Sequence, residues 1–232
     1  MEVTLTENGL DMNYFDAMLM HYVPENGTQP SVYTVPMQMT YEEVTSFGYE
    51  VLNEQTNGFT VYASRDYTNG ETLKIGVFRD GEPIWGYCVT CPYDTELQIT
   101  NAFMAGTAQD PTVIIFNAEE SMRMVDLVSG EVIWEKSIEE LQVGGSLAYD
   151  VGEDGTIYCA GYYDRGPTAI SMSGEVLWRA QPQDPETYWP YAIEVEDPYV
   201  LVVYATGTET ENDVVAYGMD GSWQWADKKS AY

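Results

Sequence analysis

The stretch Asp126-Leu127-Val128-Ser129-Gly130-Glu131-Val132-Ile133-Trp134 joins an apolar segment to a glycine turn and then to a second apolar segment that ends in tryptophan. Its Gly-x-x-x-Trp pattern occurs four times in the chain, at Gly81/Trp85, Gly130/Trp134, Gly174/Trp178 and Gly221/Trp225. The tryptophans are 49, 44 and 47 residues apart. A fixed offset that recurs at a near-constant period is the signature of a repeat architecture.

Each repeat contains four short apolar or alternating segments, which are typical of β-strands. In the unit that ends near Trp85, the pairs Asn57-Gly58, Asn69-Gly70 and Asp80-Gly81 separate these segments and favour two-residue hairpin turns. The second segment of a unit, such as 112–116, is almost wholly apolar, as expected of a strand covered on both faces. No helix is predicted between the units.

Four-stranded antiparallel units at this spacing predict an all-β protein with the fold of a β-propeller. Five units of about 47 residues need about 235 residues, and the chain has 232. The favoured organisation is therefore a single domain over 1–232 with five blades, the first of them degenerate. The blades are predicted at 1–46, 47–92, 93–142, 143–185 and 186–232. The alternatives are four blades after an N-terminal extension, and an arc cut from a larger propeller.

Residues 1–46 lack the Gly-x-x-x-Trp pattern. An apolar run at 17–23, a turn-rich segment at 24–30 and an alternating segment at 31–35 indicate a hairpin. This hairpin would parallel the two middle strands of a later unit. A helix over 10–20 is the competing interpretation.

The composition is that of a globular protein, with 44% hydrophobic and 20% charged residues. Nine Lys+Arg residues against 38 Asp+Glu residues give a net charge of −29. This charge argues against nucleic acid and anionic lipid as partners, because both are bound by basic patches. It favours solubility in an exposed setting and suits contact with cations. No apolar run approaches the roughly 18 residues of a membrane span, and the residues after Met1 do not predict a signal peptide.

The cysteines and the acidic turns do not predict a metal or a cofactor. Cys88 and Cys91 form a lone Cys-x-x-Cys, and only Cys159 and His21 could complete the four ligands of a structural zinc. Strand or loop thiols are favoured over a local disulfide, and both are favoured over redox or metal chemistry. The segment 150–155 opens like a calcium loop but lacks the distal glutamate, so a plain turn is favoured.

The repeat unit Asp126–Trp134 resembles the PQQ-like repeat of quinoprotein-type propellers, and the resemblance covers roughly residues 47–232. It implies a propeller fold. The enzymes of this family are much larger, bind quinone and calcium with dedicated residues, and use a disulfide between adjacent cysteines, a pair that is missing here. The resemblance therefore implies the non-enzymatic branch, whose members include scaffolds of bacterial outer-membrane assembly. An extracytoplasmic, bacterial protein is expected on the same grounds.

The fixed position of the four repeat tryptophans indicates that they pack between blades. Function on such a scaffold is expected in loops, and the loops after the second and fourth strands of a propeller blade emerge on one face. On that face the sequence places aromatic rings beside carboxylates, including Arg65-Asp66-Tyr67. The candidate ligand-binding residues are Tyr93, Asp94, Tyr162, Tyr163, Tyr188, Trp189 and Tyr191. The alternative is that these rings only fill gaps between loops.

These features favour a non-catalytic propeller that recognises a protein or a glycan through stacking rings and hydrogen-bonding carboxylates. The sequence contains no Gly-x-Ser-x-Gly elbow and no P-loop, and nothing recommends His21 for a catalytic triad. The alternative function is a glycoside hydrolase, which needs two carboxylates across a cleft. The residues that could supply them are Asp66, Asp94, Asp164 and Glu186.

Overall fold

A computed structural model describes residues 2–3, 12–13, 20–22, 31–33, 39–67, 71–91, 100–107, 109–117, 121–143, 146–161, 166–181, 190–205 and 212–228. Two short antiparallel strand pairs come first. Strand β1 (Glu2–Val3) pairs with β2 (Met12–Asn13), and β3 (Met20–Tyr22) pairs with β4 (Ser31–Tyr33). The second pair is the predicted hairpin. A fifth blade over 1–46 stays a prediction, because the strands described there form two separate two-stranded sheets.

Four antiparallel four-stranded sheets, each a meander in sequence order, make up the rest of the described chain. The first contains β5 (Tyr49–Thr56), β6 (Phe59–Asp66), β7 (Glu71–Arg79) and β8 (Glu82–Cys91). The second contains β9 (Thr100–Gly106), β10 (Pro111–Asn117), β11 (Ser121–Asp126) and β12 (Val132–Ser137). The third contains β13 (Ser146–Val151), β14 (Ile157–Gly161), β15 (Pro167–Ile170) and β16 (Val176–Arg179). The fourth contains β17 (Pro190–Glu196), β18 (Tyr199–Ala205), β19 (Asn212–Gly218) and β20 (Trp223–Lys228).

Burial within these sheets follows the apolar pattern of the sequence. The middle strands β14 and β15 are buried at every position, since both of their faces carry apolar or small side chains. The fourth strands β12, β16 and β20 are more open, and β16 begins with the exposed residues Val176 and Leu177. A blade whose inner strands are covered on both faces must bury them against something beyond its own sheet.

Two short helices interrupt the all-strand prediction. Helix α1 (Tyr41–Thr45) precedes the first sheet, and α2 (Ile138–Leu141) precedes the third. Each begins with a capping box. Thr40 Oγ1 accepts from the backbone N–H of Glu43 (3.2 Å), and a carboxylate oxygen of Glu43 accepts from the Thr40 N–H (2.6 Å). Ser137 and Glu140 repeat this arrangement at the start of α2. The Thr/Ser-x-x-Glu spacing of a capping box is a sequence signal for a helix start, and the all-strand prediction overlooked it at both positions.

The chain divides into two compact units. The first comprises 1–104, 113–117 and 124–133, and the second comprises 105–112, 118–123 and 134–232. The core of the first unit is a buried cluster around Val61, Val77 and Trp85, extended by Val125 and Leu127. A smaller cluster in the same unit packs α1 on the first sheet through residues including Met39, Val44, Tyr62 and Phe78.

The second unit has its own core. Tyr158, Ala160 and Ala169 of the third sheet pack against Val200 and Val202 of the fourth. A hydrogen bond also ties these sheets together, because a carboxylate oxygen of Asp150 accepts from the backbone N–H of Val195 at 2.6 Å. The third and fourth sheets therefore share one apolar interior.

Candidate functional site

Strand register places the aromatic loops at one end of the sheets. In the first sheet Tyr49 lies opposite Arg65, Asp66 opposite Thr72, and Glu71 opposite Cys91. The start of β5, the β6–β7 connection and the exit from β8 therefore lie together. We call this the loop end of a sheet, the end at which its second and fourth strands finish. Segments 162–165 and 182–189 also connect to strand termini at this end.

The predicted ligand-binding residues lie mainly outside the described residues. This is true of Tyr93, Asp94, Tyr162, Tyr163, Tyr188 and Trp189. For Tyr191 the structure describes the backbone, within β17, but not the side chain. Of the four carboxylates considered for a hydrolase, only Asp66 is described. Both assignments stay predictions.

One group of aromatic and cationic side chains at the loop end is described. Tyr49 and Arg65 are direct cross-strand partners and so share a face of the first sheet. The guanidinium carbon of Arg65 lies 5.4 Å from the centroid of the Tyr67 ring, within the range of a cation–π contact. Tyr49 is 72% exposed and Tyr67 is 46% exposed. Sequence reasoning singled out Arg65 and Tyr67 but missed Tyr49, whose signal was its position at the start of a strand.

Three repeat tryptophans reach from one blade to a turn of the next. Each indole N–H donates to the carbonyl of the first turn residue: Trp85 to Leu127 (2.8 Å), Trp134 to Met172 (2.9 Å) and Trp178 to Met219 (2.8 Å). Each ring also lies against the glycine that ends the turn. A Cβ on that glycine would lie 2.7 Å from Trp85 at Gly130, 2.9 Å from Trp134 at Gly174 and 2.7 Å from Trp178 at Gly221. We call these turns, 127–130, 172–174 and 219–221, glycine sockets.

The turn at Gly81 is not a glycine socket. Arg79 pairs with Glu82, so the loop consists of Asp80 and Gly81 alone. Their φ values of 53° and 83° are those of a type I′ hairpin turn. No described residue lies within 4 Å of the position that a Cβ on Gly81 would take. This glycine therefore serves its own hairpin, in contrast to the other three repeat glycines.

Trp225 also differs from the other repeat tryptophans. Its side chain is 39% exposed, whereas Trp85 is 5% exposed. Its ring meets that of Tyr199 edge-on, with centroids 6.2 Å apart. Of the four repeat glycine turns, three hold other tryptophans and the fourth, at Gly81, has no neighbour that the structure describes. Trp225 thus occupies the position of a packing residue without the packing seen for Trp85.

At two of the glycine sockets an aspartate, Asp126 or Asp220, holds the turn backbone in place through hydrogen bonds. One carboxylate oxygen of Asp126 accepts from the backbone N–H of Ser129 (2.6 Å), its hydroxyl (2.7 Å) and the N–H of Val128 (3.1 Å). These bonds stabilise the charged form and lower the pKa of Asp126. The hydroxyl and N–H of Ser222 lower the pKa of Asp220 in the same way. Both carboxylates therefore stabilise the turns in which their hydrogen bonds lie.

An ion pair joins the last two strands of the second sheet, β11 and β12. Arg123 donates from Nη2 to a carboxylate oxygen of Glu135 at 2.8 Å, and Ser121 donates to the same oxygen at 2.9 Å. Burial by itself would raise the pKa of Glu135, but the hydrogen bond and charge of Arg123 outweigh it, so that the pKa is lowered.

The described cysteines have the environment of core residues. Cys88 and Cys159 are buried thiols. Burial raises the pKa of Cys88 to about 11, against a smaller opposing effect of Lys74. A thiol with so high a pKa is almost wholly protonated at neutral pH and is a poor nucleophile and metal ligand. The side chain of Cys91, the other member of the Cys-x-x-Cys pair, is not described.

Within the described ranges, no group of three or more His, Cys, Asp or Glu side chains is placed to hold a metal ion. The calcium-like segment 150–155 ends β13 and turns into β14. Two of its three acidic side chains bond to protein groups, since Asp150 accepts from the backbone N–H of Val195 and Asp154 accepts from the backbone and hydroxyl of Thr156. No helix that the structure describes is long and apolar enough to cross a bilayer.

Comparison with known proteins bears on the fold alone. No family model and no curated protein matches the sequence. The chain is similar to the WD40 β-propeller domain of Doa1, with 12% identity, a TM-score of 0.50, and coverage of 96% of this chain and 64% of that one. It is similar to virginiamycin B lyase from Staphylococcus aureus, with 12% identity, a TM-score of 0.52, and coverage of 97% and 68%. It is also similar to BBS1N in its complex with ARL6DN, with 15% identity, a TM-score of 0.53, and coverage of 94% and 60%.

The fold is a β-propeller. Its blades are four-stranded and antiparallel, as predicted from the Gly-x-x-x-Trp period. The chain spans 60% to 68% of the length of these three propellers. One of them is a lyase and another is in a protein complex, so the fold by itself assigns no activity.

Proposed function

We propose that this chain is a non-catalytic β-propeller that recognises a protein at the loop end of its blades. The observation that carries the proposal is the group formed by the exposed rings of Tyr49 and Tyr67 with the half-buried Arg65. Tyrosine and arginine are enriched where proteins bind one another, because they combine large contact area with directed polar groups. The predicted ligand-binding residues, from Tyr93 to Tyr191, lie in segments of the sequence that adjoin the loop end of their own sheets.

The charge of the chain supports a partner with a basic surface. A net charge of −29 attracts positively charged proteins and speeds their encounter at low ionic strength. The carboxylates of the chain would then meet the basic residues of the partner. A glycan, which would stack on the same rings, is the second candidate ligand.

Within the propellers we place the chain beside the PQQ-like repeat proteins of the non-enzymatic branch. The three glycine sockets support this placement, because they give the Gly-x-x-x-Trp resemblance a physical role in packing. An extracytoplasmic location in bacteria belongs to the same proposal.

The proposal can be tested by probing the purified chain on peptide and glycan arrays and measuring the Kd of the strongest ligands in solution. We expect basic peptides to bind, with affinity that falls as salt rises. Tyr67→Ala, or Tyr188→Ala combined with Trp189→Ala, should weaken binding about tenfold or more, as for an interface hot spot.

Val128→Ala is the matched control for these variants. Val128 is 59% exposed but lies in a turn at the opposite end from the loop end, so binding should be unchanged. Equal affinities of the loop-end variants and the wild type, at equal melting temperature, would refute the site. Binding confined to glycans would replace the protein partner with the second candidate.

A further inference from the structure

Two of the three glycine sockets begin with a methionine. The residue whose carbonyl accepts from the indole is Leu127 in the first socket, Met172 in the second and Met219 in the third. Because these three residues are equivalent in position, leucine and methionine both suit the first place of a socket. They differ in chemistry, since the thioether of methionine takes up oxygen from a peroxide and the side chain of leucine does not.

Both the backbone and the side chain of Met172 are held in place. The residue lies in the turn 171–174, which is closed by a 2.9 Å hydrogen bond between its first carbonyl and its last N–H. The Met172 carbonyl accepts from the indole of Trp134 at 2.9 Å. The sulfur lies against Gly155, where a Cβ would be only 2.7 Å from Sδ and 3.0 Å from Cγ. The thioether and the seated tryptophan are therefore joined through one turn.

The contact between the thioether and Gly155 leaves no spare room on that side of the sulfur. Gly155 is buried, has a φ of 84°, and donates its N–H to the carbonyl of Gly152 at 2.9 Å. The backbone of Gly106 lies beside it, since a Cβ on Gly155 would be 3.5 Å from the Gly106 carbonyl carbon. An oxygen added to the sulfur on this side would meet fixed backbone and not a flexible side chain. The strain would therefore pass to the turn that contains Met172.

Met172 is open enough to be oxidised in the folded chain. It is half-buried, whereas Met122 and Met124 of β11 have no exposed surface. A small oxidant reaches a half-buried thioether directly, but it reaches a fully buried one only when the fold opens. Met104 is half-buried as well, but it lies in β9 and packs against the core of the first unit. It is therefore a methionine of similar exposure outside a socket.

We propose that Met172 is a modification site at which a peroxide releases Trp134 from its socket. The sulfur attacks one oxygen of hydrogen peroxide and the O–O bond breaks. The sulfur keeps that oxygen as a sulfoxide, and the other oxygen leaves as water with both protons, so that the thioether is oxidised by two electrons and the peroxide is reduced. The polar sulfoxide no longer fits the contact with Gly155, so the turn 172–174 shifts and the indole loses its acceptor. This site does not depend on recognition at the loop end, so either proposal can fail alone.

The test treats the whole folded chain with hydrogen peroxide and follows each methionine by peptide mass spectrometry. We expect the sulfoxide of Met172 to form at least about tenfold faster than those of Met122 and Met124. The indole groups of the chain are labelled with ¹⁵N, and the Trp134 indole N–H signal should shift in proportion to the oxidation of Met172. Treatment with methionine sulfoxide reductases, which convert the sulfoxide back to the thioether, should return the signal to its first position.

Three variants separate Met172 from the other methionines of the chain. Met172→Leu copies the residue of the first socket, so it should fold as the wild type does, and its Trp134 signal should not move in peroxide. After oxidation the wild type should melt about 2–4 °C below Met172→Leu treated in the same way. Met172→Gln carries a polar group of similar length and should shift the Trp134 signal before any peroxide is added. Met104→Leu is the matched control and should respond to peroxide as the wild type does.

Three results would overturn the proposal. The first is oxidation of Met172 no faster than that of Met122 and Met124, which would mean that peroxide does not reach it in the folded chain. The second is an unmoved Trp134 signal once Met172 is oxidised, which would mean that the socket accommodates a sulfoxide. The third is a shift of the Trp134 signal in peroxide-treated Met172→Leu, which would assign the effect to another group.

Discussion

Trp85 and Trp225 hold the same place in their repeats, and their surroundings are opposite. Trp85 is buried, donates to Leu127 and lies on Gly130. Trp225 is 39% exposed, and no described glycine turn receives it. The two residues have the same strand position and the same cross-strand pairing. The position in the repeat selects the side chain, while the neighbouring blade decides whether that side chain stabilises the fold.

The glycines of the three sockets also make their contacts with the neighbouring blade and not with the tryptophan of their own unit. Gly130 holds Trp85 of the preceding blade, not Trp134 of its own unit. The physical pairs of the repeat are therefore Trp85 with Gly130, Trp134 with Gly174 and Trp178 with Gly221, at separations of 45, 40 and 43 residues. Residues 1–46 contain no tryptophan, and the first repeat turn, at Gly81, has no socket. The turn at Gly81, which has no repeat tryptophan before it in the sequence, has the shorter hairpin form.

The largest expected effect is that of removing a seated tryptophan. Trp85→Ala leaves a cavity beside Val77 and Leu127 and an unpaired carbonyl, so we expect a loss of about 3–5 kcal/mol in the free energy of unfolding. Trp225→Ala removes a ring that is already in contact with water, and the expected loss is within about 1 kcal/mol. Urea denaturation of the wild type and the two variants measures both values.

The m-value checks this interpretation. It should be equal in all three proteins, because a change would mean that the variant altered the denatured or native state as a whole. Similar losses for Trp85→Ala and Trp225→Ala would contradict the contrast between the two blades.

The second effect separates a socket glycine from a hairpin glycine. Gly130→Ala puts a Cβ 2.7 Å from the Trp85 ring at a positive φ. We expect the free energy of unfolding to fall by about 2–4 kcal/mol, because the left-handed backbone strain and the overpacking against the ring add together. Gly81→Ala introduces the backbone strain alone, so we expect the free energy of unfolding to fall by about 1–2 kcal/mol.

Gly58→Ala is the control for that measurement. Gly58 has a φ of 80°, and no described residue lies within 4 Å of the position that a Cβ there would take, so this variant should match Gly81→Ala in thermal or urea denaturation. A Gly81→Ala loss as large as that of Gly130→Ala would mean that Gly81 also receives a side chain.

These contrasts mark what the sequence could and could not predict. The period of Trp85, Trp134, Trp178 and Trp225 was sufficient for the propeller fold, because a blade cannot cover its own apolar faces. It could not reveal that tryptophan and glycine act across units, since adjacency within the motif Gly130-x-x-x-Trp134 suggested one local element. The two-residue hairpin predicted at Asp80-Gly81 is confirmed by the φ values of that pair. The sequence could not reveal that Gly130 instead receives Trp85.

The candidate site was less predictable than the scaffold. The aromatic residues of the loops predicted a site at the loop end, and Arg65 and Tyr67 form a cation–π contact there. The exposure of Trp225 was not anticipated, because a covered and an uncovered repeat tryptophan look alike in sequence. Only the covering blade distinguishes Trp178 from Trp225.

The third effect isolates the indole hydrogen bond. Trp178→Phe keeps an aromatic ring against Gly221 but removes the donor to the Met219 carbonyl, so we expect a loss of about 1–2 kcal/mol. Trp225→Phe has no described acceptor to lose and should change stability by less than about 0.5 kcal/mol. Thermal unfolding followed by circular dichroism checks both. Equal losses would show that ring size, and not the hydrogen bond, distinguishes the two positions.

The smallest effect is the pH dependence of a socket turn. Hydrogen bonds from Ser129 and Val128 lower the folded-state pKa of Asp126 below its ordinary value of 3.8. The stability that its charge contributes is therefore fully present above the unfolded pKa of about 4 and is lost as pH falls through the folded pKa. Asp126→Asn keeps an acceptor oxygen but not the charge, so it should be less stable than wild type at pH 7, by less than about 1 kcal/mol because water screens the turn.

The difference between these two proteins isolates Asp126 from the rest of the chain's charge. As pH falls toward the isoelectric point near 4.1, the repulsion among the many carboxylates weakens, which by itself stabilises the folded state. That change is common to wild type and Asp126→Asn and cancels when their unfolding free energies are subtracted. We therefore expect the difference to be constant from pH 7 to about 5 and to shrink below about 4 as Asp126 takes up a proton. Urea denaturation at each pH measures it. A difference that is unchanged at the lowest pH would mean that the amide, and not the lost charge, weakens the turn, and the socket at Gly130 would then owe nothing to the ionisation of Asp126.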